Sequence, residues 1–293
     1  MKNTKKIYAI ALALTCSLAA TLKAQDLYVT SYLGGLVGEY GLDGSTVNAS
    51  LISGLDLPSG MAISGDDLFV VNWGSGTIGE YTTSGAAVNA SLITGLFEPS
   101  EIAISGSDLF VSENNGTIGE YGLDGSTISA SLISGLNDPR GIAISGTDLF
   151  VVNYYGYSVG EYTTSGATVN ASLISVSSNP ADVAISGSDL FVSAYNGTIG
   201  EYTTSGTTVN ASLISGLVSP GDNAISGDDL FVSNYGNGTI GEYTTSGATV
   251  NADLISGLDG PEEIAINPVP EPPAIALAVL SGLSLLLFRR RRE

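Results

Sequence analysis

The sequence predicts an all-β fold: a six-bladed β-propeller with four strands per blade, its ring closed jointly by N- and C-terminal strands. Three observations predict it. Six copies of a 40- or 41-residue unit fill the chain between residues 26 and 267, with Gly-Glu-Tyr triplets beginning at Gly38, Gly79, Gly119, Gly160, Gly200 and Gly241. Such a period fits either paired helices or four-stranded blades. Each unit consists of apolar runs of four to eight residues rich in Val, Ile, Thr, Tyr and Phe, separated by Ser-Gly, Gly-Asp or Asn-Gly turn pairs, with no ten-residue stripe of helical period. Finally, the first copy lacks its opening strand, while a solitary EEIAIN segment at 262–267 follows the sixth round.

In chain order, Lys2, Lys5 and Lys6 precede the apolar run 7–20 and the small residue Ala24, the layout of a signal peptide over 1–24. Cys16, the single cysteine, lies inside that run behind Ala13-Leu14-Thr15, which does not make a lipobox. Cleavage after Ala24 then leaves a mature chain without disulfides. The propeller is expected over 25–267. In its second copy, strands are read at 60–64, 68–72, 77–82 and 88–94, one blade's worth. The EEIAIN segment is expected to dock as the innermost strand beside residues 26–56, leaving no open edge between the first and last blades.

The C-terminus reads as a Pro-rich linker at 268–273, a transmembrane helix at 274–288 and a basic tail at 289–293. The 15-residue apolar run is short against the ~20 residues of a typical span. Flanking prolines and snorkelling arginines extend its reach. The positive tail places it in the cytoplasm and the propeller outside. Val269-Pro270-Glu271-Pro272, the apolar run and Arg289, Arg290, Arg291 and Arg292 together resemble the PEP-CTERM sorting signal of Gram-negative bacteria. The resemblance implies an exosortase-type processing enzyme as partner, an inner-membrane precursor, and delivery to the cell surface or the extracellular space.

Of 29 acidic residues, 27 lie between Asp26 and Glu263, against Arg140 as the one basic residue there. Nucleic acid and anionic membrane surfaces are therefore poor partners. The Pro-x-x-Ile-Ala-Ile-Ser-Gly-x-Asp-Leu-Phe-Val segment of most copies is similar to NHL-type propeller repeats, which implies architecture and binding rather than one activity. Residues repeated in every copy read as structural. Asp67 and its counterparts read as turn residues, Glu80 and its counterparts as a solvated ring, and Tyr81 and its counterparts as blade packing. The Asn-Ala-Ser and Asn-Gly-Thr sequons, as at Asn48 and Asn115, read as turn chemistry.

Function is expected where the copies differ. Two residues past each proline stand Gly60, Glu101, Gly141, Asp182, Asp222 and Glu263, giving four carboxylates at one channel mouth that suit a hard cation such as Ca²⁺. After the second strand stand Ser31, Asn72, Glu113, Asn153, Ala194 and Asn234. Glu101, Asn153, Asp222 and Asn234 together resemble the metal site of gluconolactonase-type propeller hydrolases, which implies the enzyme alternative. Against it, the chain has no histidine, the propeller no lysine, and no nucleophile elbow, phosphate loop or His-Glu-x-x-His motif is present. Trp73, Tyr154, Tyr155, Tyr157, Tyr195 and Tyr235 suggest a carbohydrate-stacking face. The expectation is thus a noncatalytic exported propeller, requiring no cofactor, that binds exopolysaccharide or another surface protein.

Overall fold

The computed structural model describes residues 25–267; the signal peptide, linker, sorting motif, transmembrane helix and basic tail read from the sequence lie outside the described residues. Within them the chain forms 24 strands and no helix, arranged as six four-stranded antiparallel sheets. Strands β1 (Asp26–Ser31), β2 (Leu36–Gly41) and β3 (Thr46–Ser53) belong to the first blade. The second blade is β4 (Pro58–Ser64), β5 (Asp67–Asn72), β6 (Thr77–Thr82) and β7 (Ala87–Thr94). Its edges fall within two residues of the expected ones.

Alternation along the second strand of each blade explains the core. Leu68 and Val70 point into one cluster with Tyr28, Val37 and Ile52 of the preceding blade. Phe69 and Val71 point into another, with Ile102, Leu109 and Val111 of the following blade. A strand covered on both faces must be apolar at both parities, hence the continuous Asp-Leu-Phe-Val-Val run. The fourth strand is exposed over most of its length, as in the pattern of β7, so each blade buries its inner three strands and shows water its outer one.

Gly-Glu-Tyr recurs because glycine and tyrosine share a face. A methyl group at Gly79 would lie 2.7 Å from the Tyr81 ring, so the ring lies flat on the backbone there. Tyr81 is 6% exposed, in keeping with blade packing. The glutamate between them is only partly open to water: burial first, then the charge of Asp67, raises the pKa of Glu80. The sequon residue Asn48 lies inside β3 and not in a turn; its Oδ1 accepts the Ser50 N–H at 3.1 Å where the register with β2 shifts.

Closure follows the expected route. The last strand, β24 (Pro261–Ile266), pairs antiparallel with β1 as the innermost strand of the first blade, and the Asn267 N–H donates to the Asp26 carbonyl at 3.0 Å. The seam beside the sixth blade packs Leu27, Val29 and Ile264 against Phe231, Ile240 and Ile255. It repeats the seam between the second and third blades except that Ser233 stands where that seam has Val71.

Candidate functional site

The innermost strands carry the site, and a bulge at the start of each sets its chemistry. In the second blade Pro58 pairs with Asn72, but the next partners are Met61 and Val70, so Ser59 and Gly60 leave the ladder. The same shift occurs in all six innermost strands. A bulge frees backbone groups and turns two successive side chains toward the axis. The freed amides find side-chain partners: Glu101 N–H donates to Ser112 Oγ (3.0 Å), Asp182 to Ser193 Oγ (2.9 Å), Asp222 to Ser233 Oγ (2.9 Å) and Glu263 to Thr30 Oγ1 (2.8 Å). Where the second residue past the proline is glycine, Gly60 or Gly141, the facing second-strand residue is Val71 or Val152. Acid goes with hydroxyl and glycine with valine in all six copies, so the two positions are tailored as a pair. A methyl at Gly60 would stand 2.8 Å from the Glu101 carboxylate, and one at Gly141 would overlap Asp182. The acids occupy the room those glycines leave.

The structure brings Glu101, Asp182, Asp222 and Glu263 together around a constriction of about 30 Å³. They satisfy one another: Glu263 donates to Glu101, and Asp222 to Asp182. Such a bond requires a proton on one carboxyl of each pair. Burial, the largest cause, together with the neighbouring negative charges, pushes Glu263 and Asp222 well above the usual carboxylate range and Glu101 up to about 8. The remaining oxygens clamp neighbouring blades. Asp222 Oδ2 accepts the Ile264 N–H at 2.8 Å, and Asp182 Oδ2 accepts Asn223 Nδ2 at 3.0 Å. Among the described residues, no group of three or more carboxylates is arranged to hold a metal ion.

Asn153 and Asn234 are not part of this cluster. Their Oδ1 atoms accept backbone N–H groups of Asn137 (3.1 Å) and Val218 (3.2 Å). Asn72 does the same for Asp56, and Glu113 for Phe97, so in four copies this position accepts a loop amide; in the first copy Ser31 instead donates to the Asp259 carbonyl, and the fifth has Ala194.

Directly outside the constriction opens a cavity of about 390 Å³ lined by Tyr32, Trp73, Asn114, Arg140, Tyr195, Tyr235 and Glu262, with Ser59, Ser100 and Ser219. Its aromatic lining comes from one repeat position, which is aromatic in five of six copies: Tyr32, Trp73, Tyr195 and Tyr235 line the cavity, Tyr154 lies outside the lining against Arg140, and Asn114 is the exception. Tyr32 contacts Trp73 and Tyr235 with ring centroids 6.3 and 6.4 Å apart. Across the mouth, Tyr154 meets Tyr195 edge-on at 5.5 Å. Arg140 lies 3.8 Å above the Tyr154 ring, donates to the Tyr195 hydroxyl at 3.3 Å and pairs with Asp138 at 3.5 Å. Opposite it stands Glu262, three blades away in a ring of six. Burial raises the Glu262 pKa to about 7 even though Arg140 pulls it down. Of the aromatics read from the sequence, Tyr154, Tyr155 and Tyr157 lie outside this lining, the last two 60% and 45% exposed. Tyr32, Arg140 and Glu262 are lining residues the sequence reading missed.

A six-bladed propeller with an aromatic-rimmed axial mouth is the class of protein that fold and site define. No protein-family model and no curated protein matches the sequence. Solved structures do match. A chain of a nidogen/laminin complex is similar at TM-score 0.72 and 14% identity, covering 84% of this chain and 99% of that one. A gluconolactonase from Xanthomonas campestris matches at 0.62 and 16%, covering 71% and 79%. Virginiamycin B lyase from Staphylococcus aureus matches at 0.53 and 20%, covering 73% and 71%. At such identities the likeness is one of fold, and these proteins include both enzymes and a binding complex.

Proposed function

We propose that this protein is a noncatalytic, exported surface propeller that binds a polysaccharide at its axial mouth. The aromatic rim carries the reading. Four aromatic side chains from one repeat position, Tyr32, Trp73, Tyr195 and Tyr235, converge on a cavity that also offers serine hydroxyls, the size and polarity of a ligand pocket. Flat rings beside hydroxyl and amide groups suit the apolar faces and hydroxyl edges of sugars. The Asn114 side chain adds an amide to the lining. The signal peptide and the PEP-CTERM-like tail supply the route: export, an inner-membrane precursor, exosortase-type processing, and a place at the cell surface or outside it. Affinity electrophoresis through polysaccharide-containing gels tests the reading. Wild type is expected to be retarded and a Trp73→Ala/Tyr235→Ala variant to run free; equal mobility of the two would sink it.

The second reading, a calcium-dependent lactonase-like hydrolase, rests on the four channel carboxylates. Their mutual hydrogen bonds and the loop duty of Asn153 and Asn234 weigh against it. A rise in melting temperature with calcium, reversed by chelator, would restore it.

A further inference from the structure

We propose that the mouth recognises an ammonium group, carried by the unacetylated amino sugars of a cationic polysaccharide, with Glu262 as its counter-charge inside a cage of Tyr32, Trp73 and Tyr235. The inference rests on the glycan reading above and names the class of glycan.

Glu262 is half-buried by area, and the part that remains open faces the cavity. The groups that act on it come from several blades. Arg140 stands opposite on the fourth blade, Tyr32, Tyr195 and Tyr235 sit around the rim, and Glu101 lies below in the constriction. Arg140 does not neutralise it at contact distance. The guanidinium lies on the Tyr154 face and its terminal nitrogens go to the Tyr195 hydroxyl and Asp138, while Nε is buried without a partner. Glu262 is thus a partly buried carboxyl with no ion pair among the described residues; its charge reaches Tyr32, Tyr195 and Tyr235, and Tyr32 joins Tyr235 and Trp73 in a contiguous arc on the same cavity. Aromatic rings and a carboxylate lining one cavity make the kind of environment that binds ammonium groups, through ring quadrupoles and charge together.

The whole-molecule field selects the same sign. With 27 acidic residues against Arg140 alone, the propeller attracts polycations and repels uronate-rich chains. A sugar carrier is favoured over a lysine side chain by the rest of the lining. Ser100 and Ser219 line the cavity beside the rings, hydroxyls that a sugar can meet with hydroxyls of its own and a slender alkyl stem cannot.

Trp73 is the only tryptophan in the chain and sits in the cage, so its emission reports occupancy directly. The probes are a β-linked glucosamine tetramer, its fully N-acetylated counterpart, tetramethylammonium and a lysine-rich peptide. Expected are saturable quenching by the free-amine tetramer at least tenfold tighter than by the acetylated one, and loss of that preference in Glu262→Gln. Tetramethylammonium, which does not titrate, is expected to bind more weakly at pH 5.5 than at pH 8, as Glu262 takes up its proton. Equal affinity for the two tetramers, or full free-amine affinity in Glu262→Gln, overturns the ammonium inference and leaves the glycan reading standing. Quenching by the peptide or by tetramethylammonium with no response to either tetramer overturns the glycan reading and the amino-sugar assignment with it. The tetramer comparison needs only the wild-type chain, so a poorly folding variant does not block the test.

Discussion

Truncating Ile264 to alanine tests whether the ring is closed. Ile264 is 3% exposed on the closing strand, packed with Leu27, Val29, Phe231, Ile240 and Ile255. Its counterpart in the third blade, Ile102, is also 3% exposed and meets Phe69, Ile78 and Ile93 in the same geometry. Removing a buried isoleucine side chain to its Cβ costs about 2–5 kcal/mol, the transfer of the lost carbons plus the cavity they leave. For a domain of this size each kcal/mol lowers the melting point by about 2–4 °C. A closed ring therefore predicts comparable losses of about 4–20 °C for Ile264→Ala and Ile102→Ala, measured by calorimetry on the purified propeller. In an open array β24 would be a loose end, and its isoleucine would count for little. A loss near zero for Ile264→Ala beside a full loss for Ile102→Ala would refute the closure.

Three further outcomes are expected. Glu101, Asp222 and Glu263 have raised folded-state pKa values, so the native state binds more protons than the unfolded chain and stability falls as pH rises from about 4.3, the ordinary glutamate value, through about 8 for Glu101. Melting at pH 5 should exceed melting at pH 8, and Glu101→Gln should flatten the difference; a stability that rises across that window contradicts the shared protons. Gly79→Ala should cost about 1–3 kcal/mol because the new methyl meets the Tyr81 ring, and a neutral effect in denaturant titration contradicts the stacked geometry. Mass spectrometry of the surface-fraction protein should find a C-terminus near Pro270–Pro272; an intact Arg289–Arg292 tail there contradicts exosortase processing.

The fold was legible because its rules are local and repeated. Two-sided burial of the second strand writes itself as Leu-Phe-Val-Val, and the missing first strand at Asp26 with its surplus copy at Glu262 gives the closure away. The site was legible only to within one residue. Divergence between copies pointed to the position of Glu101 and Asp222, two past each proline, yet Arg140 and Glu262 diverge just as plainly one position earlier. Strict strand alternation would send adjacent residues to opposite faces, whereas the bulge after each proline turns both toward the axis. Tyr32 shares the repeat position of Trp73 and could have been found by the same alignment of copies. Asn153 and Asn234 misled because an amide that caps a loop and one that binds a ligand look alike in sequence; the hydrogen bonds to Asn137 and Val218 separate them.

The most direct measurement of the central claim is a crystal structure of the propeller with the oligosaccharide it binds most tightly. The account predicts a sugar ring against Trp73 and Tyr235 at the axial mouth, with its polar edge toward Asn114 and Glu262. A ligand seated only on the outer strands, or a metal ion held by Glu101, Asp182, Asp222 and Glu263 with the mouth empty, would contradict it.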